Sequence, residues 1–263
     1  MEVSKKVSKY SYNKAFIIDN ETKEKLCRED PKSIEILKPI LRGRDIGRYY
    51  YRWAGLWVIA TFPSRKIDIS RYPTVKNYLK SFGKRLEQSG KPGCRKKTPH
   101  KWFETQDNIA FWKDFEKEKI VWAGVGKKLE ATIVSKDFYI NNPANFMVAE
   151  NLRYLIAIFN AKLTQWYYDK IKTQLGQEGG RFYIYDIFNL PIPPFTLQNK
   201  SITQRIEQLV DKILSLTQSS DYLKNKEKQA EVKEYEHQID QLVYQLYGLT
   251  EEEIRIIEGK DRI

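Results

Sequence analysis

Apolar residues along the first two thirds of the chain form short runs separated by polar turns. The runs at 15–18 and 57–62 are typical of strands, and further strands are predicted at 119–123, 131–134, 138–140 and 147–149. Helical spacing of apolar residues is found over 72–86 and, with a broader apolar face, over 152–171. These elements predict an α+β fold with a mixed sheet.

The pattern changes after a proline-rich run at 190–195. Apolar residues then recur at alternating spacings of about three and four over 202–216 and again over 232–249, as in a coiled-coil seam. The polar stretch 218–229 separates them, which predicts an antiparallel helical hairpin. Gly248 and Thr250 predict a helix end and the N-cap of a last short helix. Because prolines stiffen a connection, we predict two domains, residues 1–195 and the hairpin 196–263.

Positive charge is concentrated in one segment. The chain has a net charge of +12, and residues 36–105 contain 17 basic and 4 acidic side chains, a difference of 13 that accounts for the whole excess. Such a segment indicates a polyanionic partner. No apolar run reaches the length of a membrane span, and Cys27 and Cys94 fit two free thiols in a reducing compartment. We therefore predict a cytoplasmic protein without a membrane partner.

The first binding candidates lie among glycines and aromatic residues in 36–53. Arginine presents a planar fork of donors that matches phosphate and the edge of guanine, and only Asp45 interrupts the basic pattern. An alternative stays open, in which Arg44 and Asp45 form a structural salt-bridged turn. Within this segment, the residues predicted to bind nucleic acid are Arg42, Arg44, Arg48 and Arg52.

Two further segments carry binding candidates. A loop over 89–101, rich in glycine and proline, is predicted to contact phosphate through Arg95, Lys96, Lys97 and Lys101, with His100 beside them. A glycine loop near 176–180 is predicted to read bases through Lys172, Gln174, Gln177 and Arg181, because glutamine can pair with adenine. For this second loop, a mobile solvent-exposed segment is the alternative. Most tryptophans and phenylalanines are predicted to be core, with Tyr49–Tyr51 and Trp53 as candidates for base stacking.

No catalytic constellation is found. Transfer to the N6 atom of adenine needs an Asn/Asp-Pro-Pro-aromatic loop to hold the flipped base. The segment Asn141-Asn142-Pro143-Ala144 lacks the second proline and the aromatic residue, and 192–195 has isoleucine in place of the polar group. The glycines of 124–128 are predicted to form a turn rather than a phosphate loop. With two histidines, a zinc site is not expected, and the chain is predicted not to be an enzyme by itself.

Several segments, taken in order, resemble a known family. These are 38–46, with Arg42-Gly43-Arg44-Asp45 at its centre, then 102–104, 119–122, 159–163, 190–194 and the closing segment 239–250. The chain resembles the C-terminal target-recognition region of TaqI-like N6-adenine DNA methyltransferases and of type IIG restriction-modification enzymes. It is also similar to the specificity subunits of type I restriction systems.

The resemblance implies sequence-specific recognition of double-stranded DNA beside a methyltransferase domain, or subunit, that uses S-adenosylmethionine. No cofactor is expected in this chain, and the acidic exterior of the hairpin favours docking to the catalytic domain. Two alternatives stay open. One is a free-standing specificity subunit that partners a separate methyltransferase, and the other is a non-specific RNA- or single-strand-binding protein with a dimerising coiled coil.

Overall fold

The computed structural model of the protein describes residues 15–171, 174–175, 179–181 and 184–260. Helices and strands are mixed along the chain, which confirms the predicted α+β class. The helices are α1 (Asn20–Glu29), α2 (Pro73–Lys80), α3 (Leu152–Asn160), α4 (Lys162–Ile171), α5 (Ile184–Phe188), α6 (Lys200–Thr217), α7 (Lys226–Tyr247) and α8 (Glu251–Ile257). The strands are β1 (Ile17–Ile18), β2 (Leu37–Leu41), β3 (Ile46–Gly47), β4 (Tyr50–Tyr51), β5 (Trp57–Ile59), β6 (Lys119–Trp122), β7 (Val125–Gly126), β8 (Ala131–Val134), β9 (Tyr139–Ile140), β10 (Asn145–Met147), β11 (Gln174–Leu175) and β12 (Gly179–Arg181).

The chain forms two compact units that alternate along the sequence. Unit 1 contains the described residues up to Ile40, together with Trp53–Glu116 and Asp137–Tyr139. Unit 2 contains Leu41–Arg52, Lys117–Lys136 and the described residues from Ile140 onward. The boundary predicted near residue 195 lies inside unit 2. The division into domains 1–195 and 196–263 stays a prediction from the sequence. None of the described helices is long and apolar enough to cross a membrane.

Unit 1 is built on a small sheet with strand order β1-β5-β2-β9. Strand β5 pairs antiparallel with β1 and with β2, in register at Ile17↔Val58 and Leu37↔Ile59. Helices α1 and α2 bury one apolar side each, and α2 contributes Val75 and Leu79 to the core of this unit. The helix predicted over 72–86 is shorter than expected, since α2 ends at Lys80. Gly83 follows with a φ of +56°, a conformation that cannot continue a right-handed helix.

Unit 2 contains an antiparallel sheet of order β10-β6-β8, in which β6 and β8 are buried along their whole length. Beside β8, the hairpin β3–β4 turns at Tyr49, and the Tyr49 backbone N–H donates to the carbonyl of Ala131 at 2.9 Å. A third sheet, of order β11-β12-β7, uses residues of the predicted glycine loop. Thus part of a segment predicted as loop is paired backbone.

The helical hairpin predicted after the prolines is confirmed in α6 and α7. Its seam residues Ile206, Ile213, Val232 and Ile239 are buried in one core with α3. Gly248 ends α7 in the left-handed conformation, as the sequence predicts. Thr250 caps α8, accepting a hydrogen bond from the N–H of Glu253 while its own N–H donates to the Glu253 carboxylate.

One helix prediction is wrong, since the segment 152–171 forms two helices. The backbone is extended at Ala161, with φ −63° and ψ 149°. At the end of α3 the buried side chain of Asn160 bonds to both the N–H and the carbonyl of Ala131, each at 3.0 Å. At the start of α4 the N–H of Lys162 donates to the buried carboxylate of Asp240 at 2.9 Å. These two polar partners stabilise the break.

Candidate nucleic-acid interface

The turn at Arg42–Asp45 in unit 2 is held by an internal ion pair. The buried carboxylate of Asp45 accepts hydrogen bonds from the Arg42 backbone N–H and from its guanidinium, at 2.9 Å from Nε and 2.6 Å from Nη2. This hydrogen bond raises the pKa of Arg42 above its usual value. The structural salt-bridged turn considered as an alternative therefore exists, but its arginine is Arg42 rather than Arg44.

Because Asp45 is occupied by Arg42, Arg44 is left with its charge unpaired at the surface. Its side chain is exposed, and no acidic partner is found for it among the described residues. Arg44 borders a cleft of about 400 Å³ that lies within unit 2. The residues that line this cleft, named the arginine cleft below, are Arg42, Gly43, Arg44, Ala123, Val125, Asn141, Asn142 and Pro143.

One glycine allows the backbone segments around the arginine cleft to approach closely. A Cβ atom at Gly124 would lie only 2.0 Å from the carbonyl oxygen of Pro143, so only glycine fits there. At Gly43, by contrast, a Cβ would lie 3.7 Å from the Cβ of Ala123, which is an ordinary van der Waals distance. Gly124 is therefore a packing residue, with no room for a phosphate on that side. The turn predicted over 124–128 is partly wrong, because Val125–Gly126 forms strand β7, whereas Lys127 and Lys128 are exposed as expected.

The predicted base-reading residues of the glycine loop near 176–180 form the third predicted cluster, and strand β12 brings part of it to this cleft. Arg181 is paired in register with Val125, a residue that lines the arginine cleft, and its side chain is exposed. Gln174 lies in β11, but its side chain is outside the described residues. Lys172 and Gln177 also lie outside the described residues, so their predicted role stays a prediction. The pairing of β12 with β7 thus places the backbone of Arg181 beside Val125, at the border of the arginine cleft.

Arg48 and Arg52 have different environments. Arg48 is an anchor within unit 2, since its half-buried guanidinium forms an ion pair with Glu236 of α7. Arg52 is exposed, and its backbone N–H donates to the carbonyl of Asp45 at 2.7 Å. Tyr49 is buried, so it is a core residue rather than a stacking surface for a base. Of these three residues, only Arg52 combines an exposed side chain with no side-chain partner in the described part of the chain.

The second predicted cluster belongs to unit 1. Lys96, Lys97 and Lys101 are exposed, as predicted for residues that contact phosphate. Arg95 is 2% exposed, and its guanidinium donates to the carbonyl oxygens of Leu86, Trp102 and Glu104. Burial lowers the pKa of Arg95 to about 10. Direct binding of Arg95 to DNA was a wrong expectation, because its donors are used inside the protein.

Sequence reasoning missed the amides of the arginine cleft. Asn141 and Asn142 were considered only as a failed catalytic motif, whereas the fold places both beside Arg42 and Arg44. The Asn141 N–H donates to the carbonyl of Leu41 at 2.9 Å, which brings this loop to the end of β2. The available signal was the pair of amides before a proline, since asparagine can pair with adenine as arginine pairs with guanine.

Comparisons with known proteins agree with this architecture. The family model described as "TaqI-like C-terminal specificity domain" matches residues 38–192, more than half of the chain. Among solved structures, the Type IIL restriction-modification enzyme MmeI in complex with DNA is similar, with a TM-score of 0.55 and 12% sequence identity. The match covers 90% of this chain and 31% of that chain, so this chain spans about a third of the length of MmeI.

A search of curated proteins found no match. At 12% identity the likeness to MmeI supports the fold alone, whereas the family match spans both the arginine turn and the helices α3 and α4. The resemblance noted in the sequence is thereby confirmed. The chain belongs to the family of TaqI-like C-terminal specificity domains.

Proposed function

We propose that this chain recognises a specific sequence in double-stranded DNA, as the specificity part of a restriction-modification adenine methyltransferase. The observation that carries the proposal is the arginine cleft, where an unpaired, exposed Arg44 stands beside the amides of Asn141 and Asn142. This group lies inside the segment that matches the specificity family. Arginine and asparagine are the side chains that most often form paired hydrogen bonds to guanine and adenine.

The proposal assigns different tasks to the basic residues. Arg44 and Arg181 are free to reach a base edge or a phosphate, whereas Arg42 is held by Asp45 and orients the turn. Contacts of arginine to phosphate fix the position on the duplex, and contacts to base edges supply specificity. Arg48 is assigned a structural role through Glu236 and is not expected to touch DNA.

Methyl transfer belongs, in this proposal, to a catalytic domain or subunit outside this chain. That part would bind S-adenosylmethionine and the flipped adenine, and the acidic hairpin α6–α7 would dock against it. The chain is not expected to be an enzyme by itself, because neither proline-containing segment has the residues that hold a flipped base.

Selection from a random pool of duplex DNA at moderate salt tests the proposal. A short enriched motif is expected, and the logarithm of the affinity should fall against the logarithm of salt with a slope of about −4.5 if about five phosphates are neutralised. Arg44→Ala should weaken binding to the selected duplex roughly 5- to 150-fold if it reads a base. Arg205→Ala, an exposed arginine on α6, is the matched control and should stay within about twofold.

Three results would contradict the proposal. Absence of duplex binding at low salt would refute DNA recognition by this chain. Stronger binding to single strands than to duplex would favour the general RNA- or single-strand-binding alternative. An unchanged affinity and motif for Arg44→Ala would remove the arginine cleft as the reading site.

A further inference from the structure

The segment from Glu87 to Glu104 in unit 1, named the lysine loop, is folded around one buried arginine. The Nε and Nη2 atoms of Arg95 donate to the carbonyl of Leu86 at 3.0 and 2.8 Å. Nη1 donates to the carbonyl of Glu104 at 2.8 Å, and Nη2 donates to that of Trp102 at 2.7 Å. One side chain thus ties the residue before the loop to two residues at its end.

A second buried side chain closes the same loop. The amide nitrogen of Gln88 donates to the carbonyls of Lys101 and Glu104 at 2.8 and 3.1 Å. Its amide oxygen accepts a hydrogen bond from the hydroxyl of Thr98 at 2.6 Å. The loop backbone is also paired internally, since the Arg95 N–H donates to the carbonyl of Glu87 at 2.8 Å. The path of the chain is therefore determined by internal bonds rather than left to solvent.

The outward surface of the lysine loop is strongly basic. Lys96 and Lys97 are exposed, and neither has an acidic partner in the part of the chain that the structure describes. Lys101 is also exposed, with its ammonium 5.7 Å from the centre of the Phe103 ring. Gly90 packs so close that a Cβ there would lie 3.1 Å from the Cβ of Lys97. This contact fixes the backbone that carries the lysines.

The charge of Arg95 adds to this surface instead of cancelling it. Its guanidinium is solvated by carbonyl oxygens, and no carboxylate is paired with it among the described residues. Burying a cation without a carboxylate partner is costly, and like charges on one short loop repel each other in the isolated protein. The opposite charge of a bound polyanion offsets this repulsion, and a rigid, preformed surface loses little entropy on binding.

We propose that the lysine loop is a preorganised binding surface for the phosphate backbone of DNA. Lys96, Lys97 and Lys101 are its phosphate-contacting residues, and Arg95 is the positioning residue that holds them from inside. This rests on the proposed function, since the polyanion is taken to be the duplex that the chain recognises. Lysine acts at phosphate as a point charge, so this surface contributes affinity and not sequence preference.

The test compares two triple variants in salt titrations of duplex binding. Replacing Lys96, Lys97 and Lys101 by alanine should make the salt slope less steep by about 2.7, since each phosphate contact contributes about 0.9. The sequence motif that is preferred should not change. The control replaces Lys200, Lys224 and Lys226, three exposed lysines of the helical hairpin, and has the same change in net charge. Its slope should equal that of the unchanged protein.

The positioning role of Arg95 is tested by Arg95→Met and by the milder Thr98→Val, which removes only the hydroxyl bonds of Thr98 to Gln88 and His100. Loss of folded protein alone lowers the active fraction but leaves the salt slope of the remainder unchanged. A positioning role predicts a less steep slope in both variants. It also predicts that the triple lysine replacement has less effect in the Arg95→Met protein than in the unchanged protein.

The outcomes separate the two proposals. If the unchanged protein does not bind duplex, both the proposed function and the lysine loop are refuted. If it binds, and the triple lysine variant has the same slope as the hairpin control, only the lysine loop is refuted. If the lysine variant loses slope but Arg95→Met and Thr98→Val do not, the positioning role of Arg95 is wrong.

Discussion

The break between α3 and α4 gives a demanding test of the packing described for unit 2. Asn160 is 1% exposed and binds Ala131 of β8 through both atoms of its amide group. The Asn160 side chain therefore pairs with the Ala131 backbone as the backbone of a neighbouring strand would, although Asn160 lies in a helix. Asn160→Ala removes both hydrogen bonds at once and leaves the backbone of β8 in place.

The expected loss of stability follows from the hydrogen bonds that the Ala131 N–H and carbonyl keep in the variant. Its carbonyl oxygen still accepts the Tyr49 N–H at 2.9 Å, but its own N–H loses the partner that the structure gives it. An unsatisfied buried donor costs about 1–3 kcal/mol, and a hydrogen bond contributes about 1 kcal/mol. We expect Asn160→Ala to lower the free energy of unfolding by about 2–4 kcal/mol. Asn160→Asp should be worse, because a carboxylate oxygen would replace the amide nitrogen facing the Ala131 carbonyl.

Urea unfolding followed by circular dichroism measures these changes, with hydrogen exchange at the Ala131 amide as a local probe. Asn189→Ala, which removes an exposed amide in the same unit, is the control and should shift the unfolding free energy by less than about 0.5 kcal/mol. A loss under about 1 kcal/mol for Asn160→Ala with an unchanged m-value, or an Asn160→Asp protein as stable as the original, would refute the reasoning.

Three further predictions concern the hairpin and its anchor. Gly248→Ala should lower the free energy of unfolding in urea by about 1–2 kcal/mol. The cause is backbone strain alone, because φ is +65° and no described atom lies within 4 Å of an added Cβ. An unchanged free energy of unfolding would contradict this explanation. Thr250→Ala should cost about 1 kcal/mol and increase hydrogen exchange in α8, whereas unaltered exchange would argue against the cap. Arg48→Met should lower the free energy of unfolding by about 1–2 kcal/mol, because it leaves Glu236 unpaired in a half-buried site. The salt slope of DNA binding should not change. A less steep slope would indicate that Arg48 contacts DNA.

The sequence predicted those elements whose signals are local. The hairpin α6–α7, the end of α7 at Gly248 and the cap at Thr250 follow from spacing and from single residues with a defined conformational preference. The break at Ala161 was not predictable, because its causes are Asn160 reaching to β8 and Asp240 reaching from α7. Both partners are distant in sequence, and the apolar periodicity of 152–171 continues across the break.

The same distinction applies to the environments of the candidate binding residues. A cluster of arginines indicates a polyanion but does not say which guanidinium is already satisfied. Arg95 stands in a loop by composition, yet the carbonyls of Leu86, Trp102 and Glu104, seven to nine residues away in the chain, accept the hydrogen bonds of its guanidinium. Arg42 and Arg44 are two residues apart with similar neighbours, and only the geometry of the turn assigns Asp45 to Arg42. Local sequence cannot resolve these assignments.

The residues that carry the family resemblance are largely scaffold. Arg42 and Asp45 bond to each other, Asn160 bonds to β8, and the backbone of Lys162 bonds to Asp240. A match at Arg42, Asp45, Asn160 and Asp240 therefore reports the fold, because their side chains make these bonds, whereas the backbone bond of Lys162 requires no particular side chain. The side chains proposed to read DNA, such as Arg44, project from this scaffold, and Arg44 makes no side-chain bond to another described residue that would fix its identity. In the proposed function, the target sequence therefore depends on the exposed side chains of the arginine cleft, whereas family membership depends on the scaffold beneath them.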